Sequence, residues 1–83
     1  MQPGDPRADP AVIDLIELAG LWLAAGDWPA LSRTLRRLDD QLRSRFPDDV
    51  EFGARFRAIL TLSEGPVVNS DELRRIYRRA TVG

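Results

Sequence analysis

Four arginines, Arg74, Arg75, Arg78 and Arg79, crowd the segment Leu73-Arg74-Arg75-Ile76-Tyr77-Arg78-Arg79-Ala80. They are the densest group of one charge in the sequence. A guanidinium stays protonated and offers a planar fork of donors, so such a group grips carboxylates, phosphates and aromatic faces. It does not shuttle protons. Acid–base work would fall to carboxylates, which cluster only at Asp39-Asp40 and Asp48-Asp49-Val50-Glu51. Adjacent helix positions point apart, and Asp48-Asp49 stand where a helix needs an acidic cap. Neither an EF-hand Asp-x-Asp-x-Asp-Gly loop nor a glycine-rich phosphate loop occurs. Lysine, histidine and cysteine are absent, and all twelve positive charges are arginines. That removes the usual general base, the thiol nucleophile, the Schiff-base amine and the nitrogen and sulfur ligands of zinc. We therefore expect a non-catalytic protein with no cofactor and no metal. An all-oxygen Ca²⁺ or Mg²⁺ site is the one enzymatic route left open.

The elements that position these residues read as helices, with no period-two alternation of a strand. Residues 1–9, with two prolines and a glycine, are expected to form a disordered lead-in to a single helical domain over 10–83. Asp9-Pro10 then caps and opens a first helix that stops at Gly26. Asp27-Trp28-Pro29 opens a second helix running to about Phe46, before Pro47. Its Leu31, Leu35, Leu38, Leu42 and Phe46 make one apolar stripe, and Asp39–Arg43 has favourable i,i+4 order. Asp48 or Asp49 should cap a third helix over about 49–64 that carries Val50, Phe52, Phe56, Ile59, Leu60 and Leu62 as its apolar set. Pro66-Val67-Val68 is extended. Asn69 with Glu72 three residues on then offers a capping box for a last helix, about 70–80. The expected fold is all-α, a small bundle of three long helices and a short C-terminal one, the first two forming an antiparallel hairpin. Its core should hold Ile13, Ile16, Ala19, Leu23, Leu31, Leu35, Leu38, Leu42, Phe52, Phe56, Ile59, Leu60 and Ile76.

Size and charge narrow the function. An 83-residue chain buries a thin core, and without cysteine or histidine the remaining reinforcement is a partner or a second copy. The net charge of −1 supplies no global field for nucleic acid or anionic lipid. The charges are nonetheless sorted. Residues 1–31 carry five carboxylates against Arg7, whereas residues 32–45 carry five arginines against Asp39 and Asp40. Residues 46–72 are acidic again and the tail is basic, which suits helices lying side by side. Met1–Arg7 lacks the pattern of a signal peptide, and the apolar run Ala11–Ala25 is too short and too acidic to span a membrane. No membrane partner and a cytoplasmic location are expected.

The first helix is the oddest element, because Val12, Ile13, Leu15, Ile16, Leu18, Ala19, Leu21, Trp22 and Leu23 cover almost every angle around it. A helix apolar all round is either enclosed by its own domain or meets a partner on one side. The second alternative makes Leu15, Leu18 and Trp22 partner-binding residues. The tail helix is the other candidate, with Arg74 and Arg78 on one flank of the stripe Leu73–Ile76–Tyr77–Ala80 and Arg75 and Arg79 on the other. It suits solvent, an acidic protein surface or, less readily, a nucleic-acid backbone. The link from Glu64 to Asn69 is too long for a helix-turn-helix.

Within Leu18–Leu31, Ala19, Trp22 and Gly26-Asp27-Trp28 fill the small-residue, aromatic and turn positions of a tetratricopeptide repeat, which residues 12–45 resemble. Leu35 and Leu38 depart from that pattern, which favours an aromatic and a small residue there. The resemblance implies an antiparallel helical hairpin and docking against a helical-repeat partner, but one repeat builds no peptide groove. The stretches Trp28-Pro29-Ala30-Leu31 and Arg43-Ser44-Arg45-Phe46-Pro47 also resemble the CATRA-associated small proteins of bacterial conflict systems. That likeness implies an accessory subunit of a larger effector. The expected function is thus an adaptor or accessory subunit that binds a protein partner, or itself as a homo-oligomer. It would do so through Leu15, Leu18, Trp22 and Trp28 with Arg74, Arg75, Tyr77, Arg78 and Arg79. The alternative is a small nucleic-acid-binding regulator using the four tail arginines.

Overall fold

The computed structural model describes residues 5–82, which are all-helical with no strand. A 3-10 turn, Pro6–Ala8, precedes α1 (Pro10–Ala25), α2 (Trp28–Arg45), α3 (Val50–Ser63) and α4 (Ser70–Val82). Each boundary has a local cause. Asp9 Oδ1 accepts from the Val12 N–H at 3.1 Å and Pro10 fills the first turn of α1. Gly26 ends that helix at φ 72°, a left-handed conformation that glycine adopts without steric cost. Asp27 repeats the device for α2, accepting from Ala30 N–H at 3.2 Å. Asn69 Oδ1 accepts from Glu72 N–H at 3.1 Å and starts α4.

Two local expectations change. Asp49 occupies the cap position of α3, yet its side chain makes no cap bond. Its carboxylate instead lies 3.8 Å from Arg7. That contact belongs to the second change, in the lead-in expected to be disordered over residues 1–9. Residues 1–4 of it fall outside the described residues. Asp5 to Asp9, however, form a defined turn: Asp5 accepts from Arg7 N–H at 3.0 Å, and Pro6 is fully buried. The Arg7 guanidinium stacks 4.6 Å above the Phe52 ring, a cation–π contact that ties the turn to α3.

α2 lies at the centre, packed on α1 along one side and α3 along the other. Its stripe Leu31, Leu35, Leu38, Leu42 and Phe46 is buried throughout. α3 contributes Phe52, Phe56 and Ile59, with Phe52 and Phe56 edge-to-face at 5.1 Å between centroids. α4 closes against α3 and α1 through Leu73 and Ala80. From α1 come Val12, Ala19 and Leu23. Ion pairs fasten the layers at their edges: Arg45 reaches back to Asp9, Arg36 and Ser32 hold Glu64, and Arg57 pairs with Asp39 at 3.3 Å. These join acidic and basic segments that the sequence keeps apart.

The core differs from expectation chiefly in α1. Ile13 is 38% exposed, and Val12 takes its place with no exposure at all. Ile16, Leu60 and Ile76 are half-buried against the core, and Leu73 is a full member that the sequence left out.

Candidate functional site

Among the described residues α1 is not enclosed on all sides. Val12, Ile16, Ala19 and Leu23 face inward, while Leu18 is 37% and Leu21 66% exposed on the far side. α2 flanks the helix on one side and α4 on the other, and nothing among the described residues covers the outer face.

The expected site residues divide between two clefts on opposite flanks of this helix. Leu15, Leu18 and Trp22 line a cleft of about 230 Å³ against Arg33 and Arg37 of α2. Arg74, Tyr77 and Arg78 line another, of about 270 Å³, with Gly20, Leu23 and Ala24. The two groups therefore share α1 without sharing a cavity. Trp28 is half-buried against the core and lines neither cleft. Arg75 and Arg79 project from the face of α4 turned away from α1, exposed and outside both clefts. Helical spacing puts Arg33 and Arg37 opposite the apolar stripe of α2. Their place beside Trp22 depends on the crossing of α1 and α2, which periodicity does not encode.

Tyr77 anchors α4 to α1. Its hydroxyl donates to the Ile16 carbonyl oxygen at 2.7 Å, across 61 positions of sequence. The ring can come this close because residue 20 is glycine: a Cβ there would lie 2.5 Å from the Tyr77 hydroxyl oxygen. Burial, reinforced by the nearby Glu17 carboxylate, pushes the phenol above its usual value of 10.0. The group is thus a hydrogen-bonded tether, neutral over the ordinary pH range.

The electrostatics of the flanks follow from which arginines have partners. Arg7, Arg36, Arg43, Arg45, Arg55, Arg57 and Arg74 each lie within 4.0 Å of a carboxylate, Arg74 only at 3.9 Å from the exposed Asp71. Among the described residues Arg33, Arg37, Arg75, Arg78 and Arg79 have no such pair. Two of these five, Arg33 and Arg37, edge one cleft, and Arg78 edges the other. Along α1 itself Asp14 and Glu17 are exposed and make no ion pair among the described residues.

Among the described residues no three acidic side chains converge as a metal site, and no helix is long and apolar enough to cross a membrane. The two carboxylates with displaced titration, Asp9 and Glu64, are both held below their usual values by structural contacts. Arg45 does this for Asp9, and Ser32 followed by Arg36 for Glu64. A third cleft, of about 330 Å³, lies between Arg7, Ile13, Ile16, Phe52 and Ala80, with Glu17 as its single acidic side chain. Comparison of the chain with protein-family models, with curated proteins and with solved structures finds no match.

Proposed function

We propose that this protein is a non-catalytic interaction module, an adaptor or accessory subunit whose docking face is the outer side of α1 with its two arginine flanks. One observation carries the reading. The helix exposes Leu18 and Leu21 on a face with no cover among the described residues, and Arg33, Arg37 and Arg78 border it without carboxylate partners. Interface cores are rich in apolar and arginine side chains because both desolvate at modest cost. An apolar strip with basic rims fits a protein surface whose own apolar ridge carries acidic edges. The tetratricopeptide-like residues Ala19, Trp22 and Gly26-Asp27-Trp28 support an antiparallel α1–α2 hairpin within a small bundle. So does the meeting of Asp9, at the start of α1, with Arg45, at the end of α2. A helical-repeat partner, or the larger effector of a conflict system, suits such a surface.

Light scattering tests the reading, with the protein alone and with proteins encoded beside its gene. The expected result is a complex, with itself or a neighbour, that Leu21→Asp abolishes while circular dichroism stays unchanged. A protein that is monomeric at every concentration and binds none of them refutes it. The nucleic-acid alternative rests on Arg75, Arg78 and Arg79, all exposed and unpaired among the described residues. It requires affinity that falls steeply with salt and is lost when these three and Arg74 become glutamine.

A further inference from the structure

The α1 face carries charge in an order that fits a second copy of itself. Asp14 and Glu17 are exposed in the first half of the helix. Arg74 and Arg78 flank its second half, lining the cleft with Gly20, Leu23 and Ala24. Along its α4 edge the strip is therefore acidic at one end and basic at the other, with Leu18 and Leu21 exposed beside that edge and Arg33 and Arg37 lining the opposite one. An isologous two-fold contact sets a surface against its own reverse, so it favours this kind of polarity.

We propose that the outer face of α1 is the interface of a symmetric homodimer in which two α1 helices pack antiparallel. This rests on the reading of α1 as a docking face and commits that face to one occupant. The register follows from the residues. Setting Leu18 of one copy opposite Leu21 of the other places the axis midway between them. Glu17 then falls level with Trp22 of the other copy, and Asp14 level with Ala25. α4 runs beside α1 in the opposite sense, with Arg74 near Ala24 and Thr81 near Glu17. Arg78 and Arg74 consequently lie beside Glu17 and Asp14 of the facing copy. A two-fold of this kind keeps each α4 on the same side as the other's α4, which is the side on which Glu17 projects. A parallel arrangement would instead oppose acid to acid.

The contact is modest. A 16-residue helix is about 24 Å long, and with both flanks about 20 Å wide it offers on the order of 500 Å² per copy, the low end of specific interfaces. An interface of this area belongs with weak, transient associations, so dimerisation is sought at micromolar to submillimolar concentrations.

Sedimentation equilibrium of the whole chain, from about 5 to 500 µM, is the test, with variants Leu21→Asp, Glu17→Arg, Arg78→Glu and the double Glu17→Arg/Arg78→Glu. All four change exposed side chains, and circular dichroism verifies that each variant folds. The wild type should dimerise reversibly. Leu21→Asp should be monomeric, and each single reversal should weaken the dimer about 10-fold, because each acts twice across the axis. The double reversal should restore affinity to within about 3-fold, since it rebuilds the pair with exchanged signs. A wild type that stays monomeric overturns the proposal. So does a dimer in which the double reversal is no better than the singles. Should the monomer still bind a neighbour-encoded protein in a manner abolished by Leu21→Asp, the docking face stands and only its self-association is lost.

Discussion

Two helical glycines make opposite demands, and replacing each by alanine separates helix propensity from packing. In the interior of a helix alanine is favoured over glycine by about 1 kcal/mol. At Gly53 nothing opposes that gain, since a new Cβ would meet its nearest neighbours, Leu42 and Arg57, at 4.0 Å. Gly53→Ala should stabilise the fold by about 0.5–1 kcal/mol. At Gly20 the same methyl would stand 2.5 Å from the Tyr77 hydroxyl oxygen and 3.1 Å from Cζ. The ring must withdraw, breaking its bond to the Ile16 carbonyl, worth about 1 kcal/mol, and loosening the α4 seam at an overpacking cost of about 1–3 kcal/mol. Set against the propensity gain of about 1 kcal/mol, Gly20→Ala should destabilise by about 1–3 kcal/mol, a fall in Tm of roughly 4–24 °C for a domain of this size. Urea denaturation followed by circular dichroism measures both, and a third background, Tyr77→Leu, completes the argument. With the ring removed the obstacle is gone, and Gly20→Ala should become neutral or stabilising. Equal effects of Gly20→Ala in the two backgrounds would refute the tether, and stabilisation by Gly20→Ala in the wild type would refute the close approach itself.

Two further predictions concern titration and the core. Asp9 and Glu64 titrate below their usual values of 3.8 and 4.5 because Arg45, and Ser32 with Arg36, favour their charged forms. A carboxyl depressed in the folded state adds stability that is present above its usual value and lost as pH falls through the folded one. The urea midpoint should therefore drop between about pH 5 and pH 3, and the drop should shrink in Arg45→Gln and Arg36→Gln; variants with an undiminished acid response would disprove the assignment. Leu38 is wholly buried whereas Leu21 is 66% exposed. Leu38→Ala should cost about 2–5 kcal/mol and Leu21→Ala under about 0.5 kcal/mol, both read by chemical denaturation.

The sequence revealed most where a residue type admits one local solution. Asp9-Pro10, Gly26-Asp27 and Asn69 mark helix ends by unpaired N–H groups and by positive φ, and the ends fall where those residues stand. The α2 stripe was equally legible, because polar residues fill its other face and fix its phase. α1 was not. Apolar on nearly every side, it leaves rotation about its axis to tertiary packing, and Val12 rather than Ile13 turned inward. The turn at Pro6 was hidden for a related reason: proline and charge suggest disorder, whereas the order comes from a distant ring, Phe52, under Arg7. Of the site, both candidate elements were visible, but their division into separate clefts was not. That division follows from helix crossings, as does the approach of Arg33 and Arg37 to Trp22.

Reliance on arginine alone takes on a clearer meaning once its partners are known. In a thin core, ion pairs at the helix edges hold register more than they add energy, since exposed pairs contribute roughly 0–1 kcal/mol each. Arg45 with Asp9 and Arg36 with Glu64 do this by joining positions 36 and 28 residues apart. The arginines left without carboxylates are not scattered over the surface. Arg33 and Arg37 border one flank of α1, Arg78 the other, and Arg75 and Arg79 the outer face of α4. Three of the five that have no carboxylate partner among the described residues, Arg33, Arg37 and Arg78, thus stand beside the most apolar helix, where arginine can serve an interface as well as solubility. In the proposed dimer Arg78, with Arg74, meets the first half of the facing α1, carrying Asp14 and Glu17, while Arg33 and Arg37 stay on the other flank, open to an acidic partner protein.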